Sequence, residues 1–399
     1  SYDAENWTPR SQGLTWSLKD LAFVNADTGI AVASNNLVYT FDGGKTWAPL
    51  ADTVLCCLNA IDFFDENRGT VAGSFRLIYR TDDGGKTWRK QETPLRYNLT
   101  FLDVFHVTVD TVYAVGEFGT ILATTDGGET WVKQDSGLEL DGPALNAVFF
   151  TDSRHGLTVS QRAEILRTTD GGQSWSMVER SDEALTDVYF INSDIGVTVG
   201  NDGLVLRSTD GGQSWVKVNS GVNWLYSVDF YNDKIGFAVG EKGTILRTDD
   251  GGLSWSPEPT NAAEWLHKVF VRDANNIFAI GTRGTILKRA EGVVSVIDFP
   301  DESEAKPSFI LLQNYPNPFN ASTTVSFDVP AAATVTIKVF DVTGKQVGTV
   351  YSGHLSEGHH AVNWHVDALA SGVYFLRLEF CGINMPRKMT ATRKALLLK

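Results

Sequence analysis

The chain has 399 residues, 42% of them hydrophobic and 21% charged, with a net charge of −14, which is the make-up of folded domains and not of a disordered chain. No run of eighteen apolar residues occurs, which excludes a membrane-spanning helix. The charge is uneven: residues 309–399 carry eight basic against five acidic side chains, about +3, leaving about −17 for the rest, so nucleic acid is excluded as a partner of the acidic part and a domain boundary is expected near 300.

Along the chain the first recurring punctuation is "TFDGGKTW" (Thr40–Trp47). It returns as "TDDGGKTW" (Thr81–Trp88), "TTDGGETW" (Thr124–Trp131), "TTDGGQSW" (Thr168–Trp175), "STDGGQSW" (Ser208–Trp215 from its Ser) and "TDDGGLSW" (Thr248–Trp255). The aspartates Asp42, Asp83, Asp126, Asp170, Asp210 and Asp250 are about forty residues apart, the period of a β-propeller with one blade per repeat. Each repeat opens with an alternating strand, such as "LNAIDF" at Leu58 or "LYSVDF" at Leu225. A β-branched strand ending in Gly or Ser follows, then a Gly-containing turn ("NDG", "EKG") and a third strand. The box then turns the chain, and its Trp begins the fourth.

First strands number seven, from "LKDLAF" at Leu18 to "LHKVFV" at Leu266. In the last repeat the box has decayed to "RAEGVVSV", with Glu291 where its aspartate is due. Trp7 precedes Trp16 by nine residues, as Trp215 precedes Trp224, so a strand near Trp7 is expected to complete the seventh blade beside the strand near Ile286, removing an open edge. The expected fold is all-β, with a seven-bladed propeller over residues 1–297.

Within each box the Asp accepts from turn N–H groups, Gly supplies a positive φ, and the Thr or Ser hydroxyl closes the turn. Trp47, Trp88, Trp131, Trp175, Trp215 and Trp255 supply the area to fill the wedge between blades. Six equal aspartates spread around a ring cannot converge on one substrate or ion, so neither a metal nor a cofactor is expected. Arg80, Arg167, Arg207 and Arg247 recur within strands and read as structural. Adjacent Cys56 and Cys57 in an extended strand point to opposite faces. With Cys381 they form no disulfide framework and are expected to act as small hydrophobes.

The box resembles the Asp-box (BNR) repeat of sialidases, sortilin-type receptors and xyloglucanases. With its "GTILRTTDGG" wording it is most similar to the photosystem II stability/assembly factor-like family, over about Trp7 to Arg289. That resemblance implies a seven-bladed ring with the boxes on its outer side. Ligands of propellers are usually met by the loops between blades and between second and third strands. The first set here supplies Trp16, Cys56, Tyr97, Trp224 and Trp265. The second supplies Phe75, Arg76, Glu117, Phe118, Arg162, Asp202, Lys242 and Arg283. Aromatic side chains with mixed charges suit a protein or a glycan. The sialidase FRIP-type motif is missing, and His106, His155 and His267 lie in no triad, so the expectation is not an enzyme. A glycan-active hydrolase using Glu117 and Asp202 is the alternative.

After the acidic stretch 298–308, residues 309–399 alternate as a small immunoglobulin-like β-sandwich, with turns at Thr343–Gly344 and Ser371–Gly372. "NYPNPFN" (Asn314, Tyr315, Pro316, Asn317, Pro318, Phe319, Asn320), "DVTGKQV" and "SGVYF" (with Gly372 and Tyr374) closely resemble the type IX secretion C-terminal sorting domain of Bacteroidetes; Ala321 stands where a Pro usually follows. The resemblance implies export through the periplasm to the cell surface or beyond, with the secretion machinery and a surface protein or glycan as partners. A permanent subunit of a larger surface assembly is the further alternative.

Overall fold

The computed structural model describes residues 7–10, 13–49, 55–139, 142–219, 224–273, 276–289, 310–311, 320, 322–329, 333–341, 345–356, 358–366, 369–382 and 389–397. Glu291, the 298–308 stretch, the Asn314–Phe319 motif and the Thr343–Gly344 turn lie outside them. The chain divides into two compact units, Ser1–Val294 and Ser295–Lys399.

Seven four-stranded antiparallel sheets make up the first unit, and each follows from one repeat. Blade 1, for example, runs Leu18–Phe23, Gly29–Ala33, Leu37–Thr40 and Ala48–Pro49. The second strands are buried on both faces, which is why they read as apolar runs such as "GIAVA" and "GFAVG" without clean alternation. The seventh sheet joins Leu266–Asp273, Asn276–Gly281 and Ile286–Arg289 to the N-terminal Trp7–Pro9, with Trp7 opposite Arg289. The ring is therefore closed by its own two ends.

The box is a self-contained turn. In the first copy, the Thr40 hydroxyl donates to Asp42 Oδ1 (2.8 Å) and accepts from Gly44 N (2.9 Å). Asp42 also takes Thr46 N (2.9 Å) and the Thr46 hydroxyl (2.6 Å). In the third and fourth copies, the hydroxyl of Thr130 or Ser174, followed by its backbone N–H, holds Asp126 and Asp170 down to about 2. Glycine is required for space as well as for φ: at Gly212 (φ +78°) a Cβ would stand 2.5 Å from Leu157 of the preceding blade.

The box Trp fills the gap between blades. Trp175 of blade 4 stands edge-on to Phe150 (5.9 Å) and donates to Gln134 of blade 3 (3.0 Å); it is buried in a cluster that includes Val115 and Ile121 of blade 3. The third strand reaches forward to the next box: Arg80 to Gly127 O (2.7 Å), Arg167 to Gly211 O (2.9 Å) and Arg207 to Gly251 O (2.8 Å). Tyr39 of a third strand and Tyr113 of a second strand also reach the next box through their hydroxyls, to Gly85 O and Gly171 O. In blade 7 the box sequence has decayed, and Arg247 pairs with Asp249. It also approaches Glu258, which accepts from Trp7 Nε1 (2.8 Å) and from Arg289 Nη2 (2.9 Å). Trp7 packs against Phe237 (6.1 Å), so it occupies the wedge that a seventh box would have filled.

In the second unit, Ile310–Leu311, Ser322–Val329 and Gly358–His365 form one sheet. Gln346–Leu355, Ala333–Phe340, Gly372–Gly382 and Met389–Leu397 form the other, in that spatial order. Val325, Phe327, Val335, Ile337, Trp364, Leu376 and Leu378 share its core. Tyr374, edge-on to Trp364, donates its hydroxyl to Ala370 O. Among the described residues no helix is long and apolar enough to cross a membrane.

Because Glu258, Trp7 and Arg289 are all nearly excluded from solvent, removing the carboxylate leaves a buried guanidinium unpaired. Glu258→Ala is expected to destabilise the propeller by about 3–5 kcal/mol in urea unfolding. The same change at exposed Glu129, which pairs with exposed Arg89, is expected to shift it by under about 1 kcal/mol.

Candidate functional site

Every inner strand carries a β-bulge after its first residue, between Leu18 and Asp20 in blade 1 and between Leu266 and Lys268 in blade 7, with equivalents in the five between. A bulge re-aims consecutive side chains, so second and third positions both line the channel. They surround a cavity of about 110 Å³ bounded by Lys19, Asp20, Asp103, Asn146, Asp187 and Lys268, among others.

These side chains join neighbouring blades. Asp20 accepts from its own Leu21 N and from Ile61 N of blade 2; Asp103 does so from Val104 N and Val148 N, and Asp187 from Val188 N and Val228 N. One tier lower, Asp62 takes His106 N and Asp229 takes Val271 N. The remaining junctions use second-position groups: Asn146 donates to Leu185 O, and His267 Nδ1 meets Leu18 O (2.8 Å).

Lys268 stands among the carboxylates, 3.7 Å from Asp20 and 3.8 Å from Asp187. Burial alone would lower its pKa, but Asp187, Asp20, Asp103 and Asp229 together hold it above the ordinary lysine value. Burial pushes Asp62 up to about 6 and Asp103 and Asp229 up to about 7. Sequence reasoning missed this cluster. Its only signal was an acidic residue recurring at the third or fifth position of an otherwise apolar strand. Among the described residues no three or more His, Cys, Asp or Glu side chains are grouped to hold a metal ion.

The loops expected to carry specificity lie at the strand ends where the channel opens. Phe75, Tyr97, Phe118, Trp224 and Trp265 are exposed, whereas Trp16 is half-buried against the core of blades 1 and 7. Two groups form. Tyr97 meets Phe118 edge-on (6.4 Å). On the other side Trp224 donates to Asp202 (3.1 Å), Trp265 lies over Tyr226 (6.1 Å), and Arg283 pairs with Glu264 (3.2 Å). Glu117 accepts from Thr100 N (2.7 Å), so Glu117 and Asp202 are each engaged in their own part of the ring. Arg76 donates to Leu95 O, while Arg162 and Lys242 are exposed. Phe75, Arg76, Phe118, Asp202, Lys242 and Arg283 all have positive φ, 51–61°, as two-residue hairpin turns require.

One expectation is corrected. Cys57 is also left-handed (φ +68°), so the Cys56 and Cys57 side chains do not diverge; their sulfurs are 3.1 Å apart.

A closed ring of seven blades, six of them carrying an Asp-box, followed by a small β-sandwich, defines an Asp-box propeller with a C-terminal β-domain. Residues 1–92, 50–146 and 134–223 match the family model described as photosynthesis system II assembly factor YCF48, and the chain belongs to that family. Residues 313–390 match the secretion system C-terminal sorting domain. A stretch of 46 residues is 41% identical to the photosystem II assembly lipoprotein Ycf48 of Prochlorococcus marinus; it spans 11% of this chain and only 14% of that protein. Among solved structures, YCF48 bound to D1 peptide superposes with a TM-score of 0.61 at 20% identity, over 73% of this chain and 96% of that one. YCF48 from Cyanidioschyzon merolae gives 0.59 at 19%, over 71% and 99%. The WD40 propeller of Doa1 gives 0.57 at 12%, over 72% and 98%. These structures show the shared fold.

The channel sets an unusual pH response. A carboxyl raised in the folded state binds more protons there than in the unfolded chain, so its stabilising contribution is full below about pH 4 and is lost as pH rises through about 6–7. The lowered box aspartates act oppositely, losing their contribution as pH falls from about 4 through about 2. The melting temperature is therefore expected to fall between pH 5 and pH 8. Lys268→Met, which removes the cation, is expected to deepen that fall, and Asp103→Asn to flatten it; calorimetry across this range checks all three.

Proposed function

We propose that this protein is an exported, non-enzymatic propeller that binds an extended protein segment across its loop face. The observation that carries the reading is where large apolar side chains are left uncovered. Of the seven exposed Phe, Tyr and Trp side chains among the described residues of the propeller, five (Phe75, Tyr97, Phe118, Trp224 and Trp265) belong to that face. Aromatic anchors in a polar setting are the usual centres of protein recognition. Holding Phe75 and Phe118 at positive φ also carries a backbone penalty on the order of 1 kcal/mol each.

Two further facts support a protein ligand. The family includes a member solved with a peptide, the D1 peptide of that protein's complex. The carboxylates a hydrolase would need, Glu117 and Asp202, accept hydrogen bonds from Thr100 and Trp224. The sorting domain supports delivery to the cell surface or beyond.

Binding to immobilised peptide and glycan libraries tests the reading. A peptide ligand is expected, with Trp224→Ala and Phe118→Ala each weakening it about tenfold, roughly 1.4 kcal/mol. Phe41→Ala, which removes an exposed aromatic within a box, is expected to leave affinity unchanged. Glycan turnover abolished by Glu117→Gln would replace this reading with the hydrolase.

A further inference from the structure

The adjacent cysteines are built into the fold in a way that small hydrophobes do not require. Cys57 adopts φ +68°, a left-handed conformation that a residue with a Cβ takes at a penalty of about 1–2 kcal/mol. Both neighbouring blades hold it there: Cys57 N donates to Ser34 O of blade 1 (3.4 Å), and Cys57 O accepts from Ser74 N of blade 2 (2.7 Å). Gly73 faces the Cys57 carbonyl as Gly116, Gly200, Gly240 and Gly281 face Thr100, Ala184, Trp224 and Trp265, but none of those four equivalents is left-handed, so the positive φ is particular to Cys57. The result is two sulfurs 3.1 Å apart, Cys56 exposed and Cys57 half-buried, on the loop between blades 1 and 2. Strained backbone fixed from two sides is found where a function needs it.

We propose that Cys56 and Cys57 form a thiol–disulfide switch on the loop face, closed by a disulfide-bearing oxidant into a bridge between adjacent residues. The exposed Cys56 thiolate attacks one sulfur of the oxidant, releasing the other half as a thiolate and leaving a mixed disulfide. Cys57 then gives its proton to water, and its thiolate attacks the Cys56 sulfur, expelling the second half. Two protein thiols are oxidised to one disulfide and one external disulfide is reduced to two thiols, so atoms and electrons balance. The order of attack follows from the site: the Cys57 thiol donates to the Cys56 sulfur, and that hydrogen bond raises the Cys57 pKa above the ordinary thiol value.

Neighbouring Cα atoms lie about 3.8 Å apart, short of the usual disulfide span of about 4.4–6.8 Å. Such a bridge is strained and easily reduced, which suits a switch better than a structural staple. The inference rests on the export reading only for the source of oxidant, because disulfides persist outside the reducing cytosol.

The test uses the full chain with Cys381→Ser, equilibrated with oxidised glutathione and followed by intact mass and thiol labelling. The expected product is a monomer lighter by two hydrogen atoms, in which neither Cys56 nor Cys57 is labelled until dithiothreitol is added. In the same background Cys57→Ser is expected to stop at a glutathione adduct on Cys56, and Cys56→Ser to take up no adduct. Two freely labelled thiols, a stable glutathione adduct on the paired protein, or a disulfide-linked dimer would each overturn the proposal. None of these outcomes depends on whether the loop face binds a peptide.

Discussion

Among the described residues no strand of one four-stranded sheet pairs with a strand of the next, so the contact between neighbouring sheets is carried mainly by side chains. On the outside an indole fills each wedge, and at the boxes of blades 2 to 6 an Arg or Tyr from the blade before reaches a glycine carbonyl. On the inside, aspartates accept N–H groups from the following blade. Both devices repeat about every forty residues, which is why the sequence itself is repetitive. Repeat units of this kind are stabilised mainly by their nearest neighbours. The last junction, where no box exists, therefore needs the separate arrangement of Trp7, Arg289 and Glu258.

The inner device has an electrostatic consequence that the outer one lacks. A box aspartate sits in water and is stabilised as an anion by the hydroxyl and N–H groups around it. A channel aspartate accepts similar N–H groups, but desolvation outweighs them, and a single ammonium serves several carboxylates. The same residue type thus acquires opposite proton affinities according to which end of the blade it occupies. The channel cavity opens beneath the aromatic loop face, yet its polar side chains are largely engaged with neighbouring blades, and its chemistry reads as that of a latch. The loops, by contrast, leave Phe75, Tyr97, Phe118, Trp224 and Trp265 exposed, and the proposed peptide binding rests on them.

Much of this architecture was legible along the chain. The boxes, the seven first strands and the change of text after Val296 correspond to seven sheets and a separate β-sandwich. Asp42 and its equivalents could be read as turn-formers because all their partners lie within four residues. The aromatic loop residues were also identifiable, since their place in the repeat locates them, although Trp16 turned inward against the core. The illegible parts were those in which partners lie a blade apart. Asp20 stands in a short alternating strand, and nothing near it in the chain signals that its carboxylate accepts from Ile61 N of blade 2. Cys57 looks extended until Ser34 and Ser74 fix it in the left-handed region.

The sequence by itself determined the blade count, the composition of each turn and the kind of tail the propeller carries, because hairpins and alternating strands are set by contacts among near neighbours in the chain. Only the tertiary structure decided which way each aspartate's proton affinity is shifted, that Glu258 anchors Trp7 where the ring's ends join, and that two consecutive thiols face one another. Those properties depend on burial and on partners from 17 residues distant, as Ser74 is from Cys57, to 251, as Glu258 is from Trp7, which no local pattern specifies.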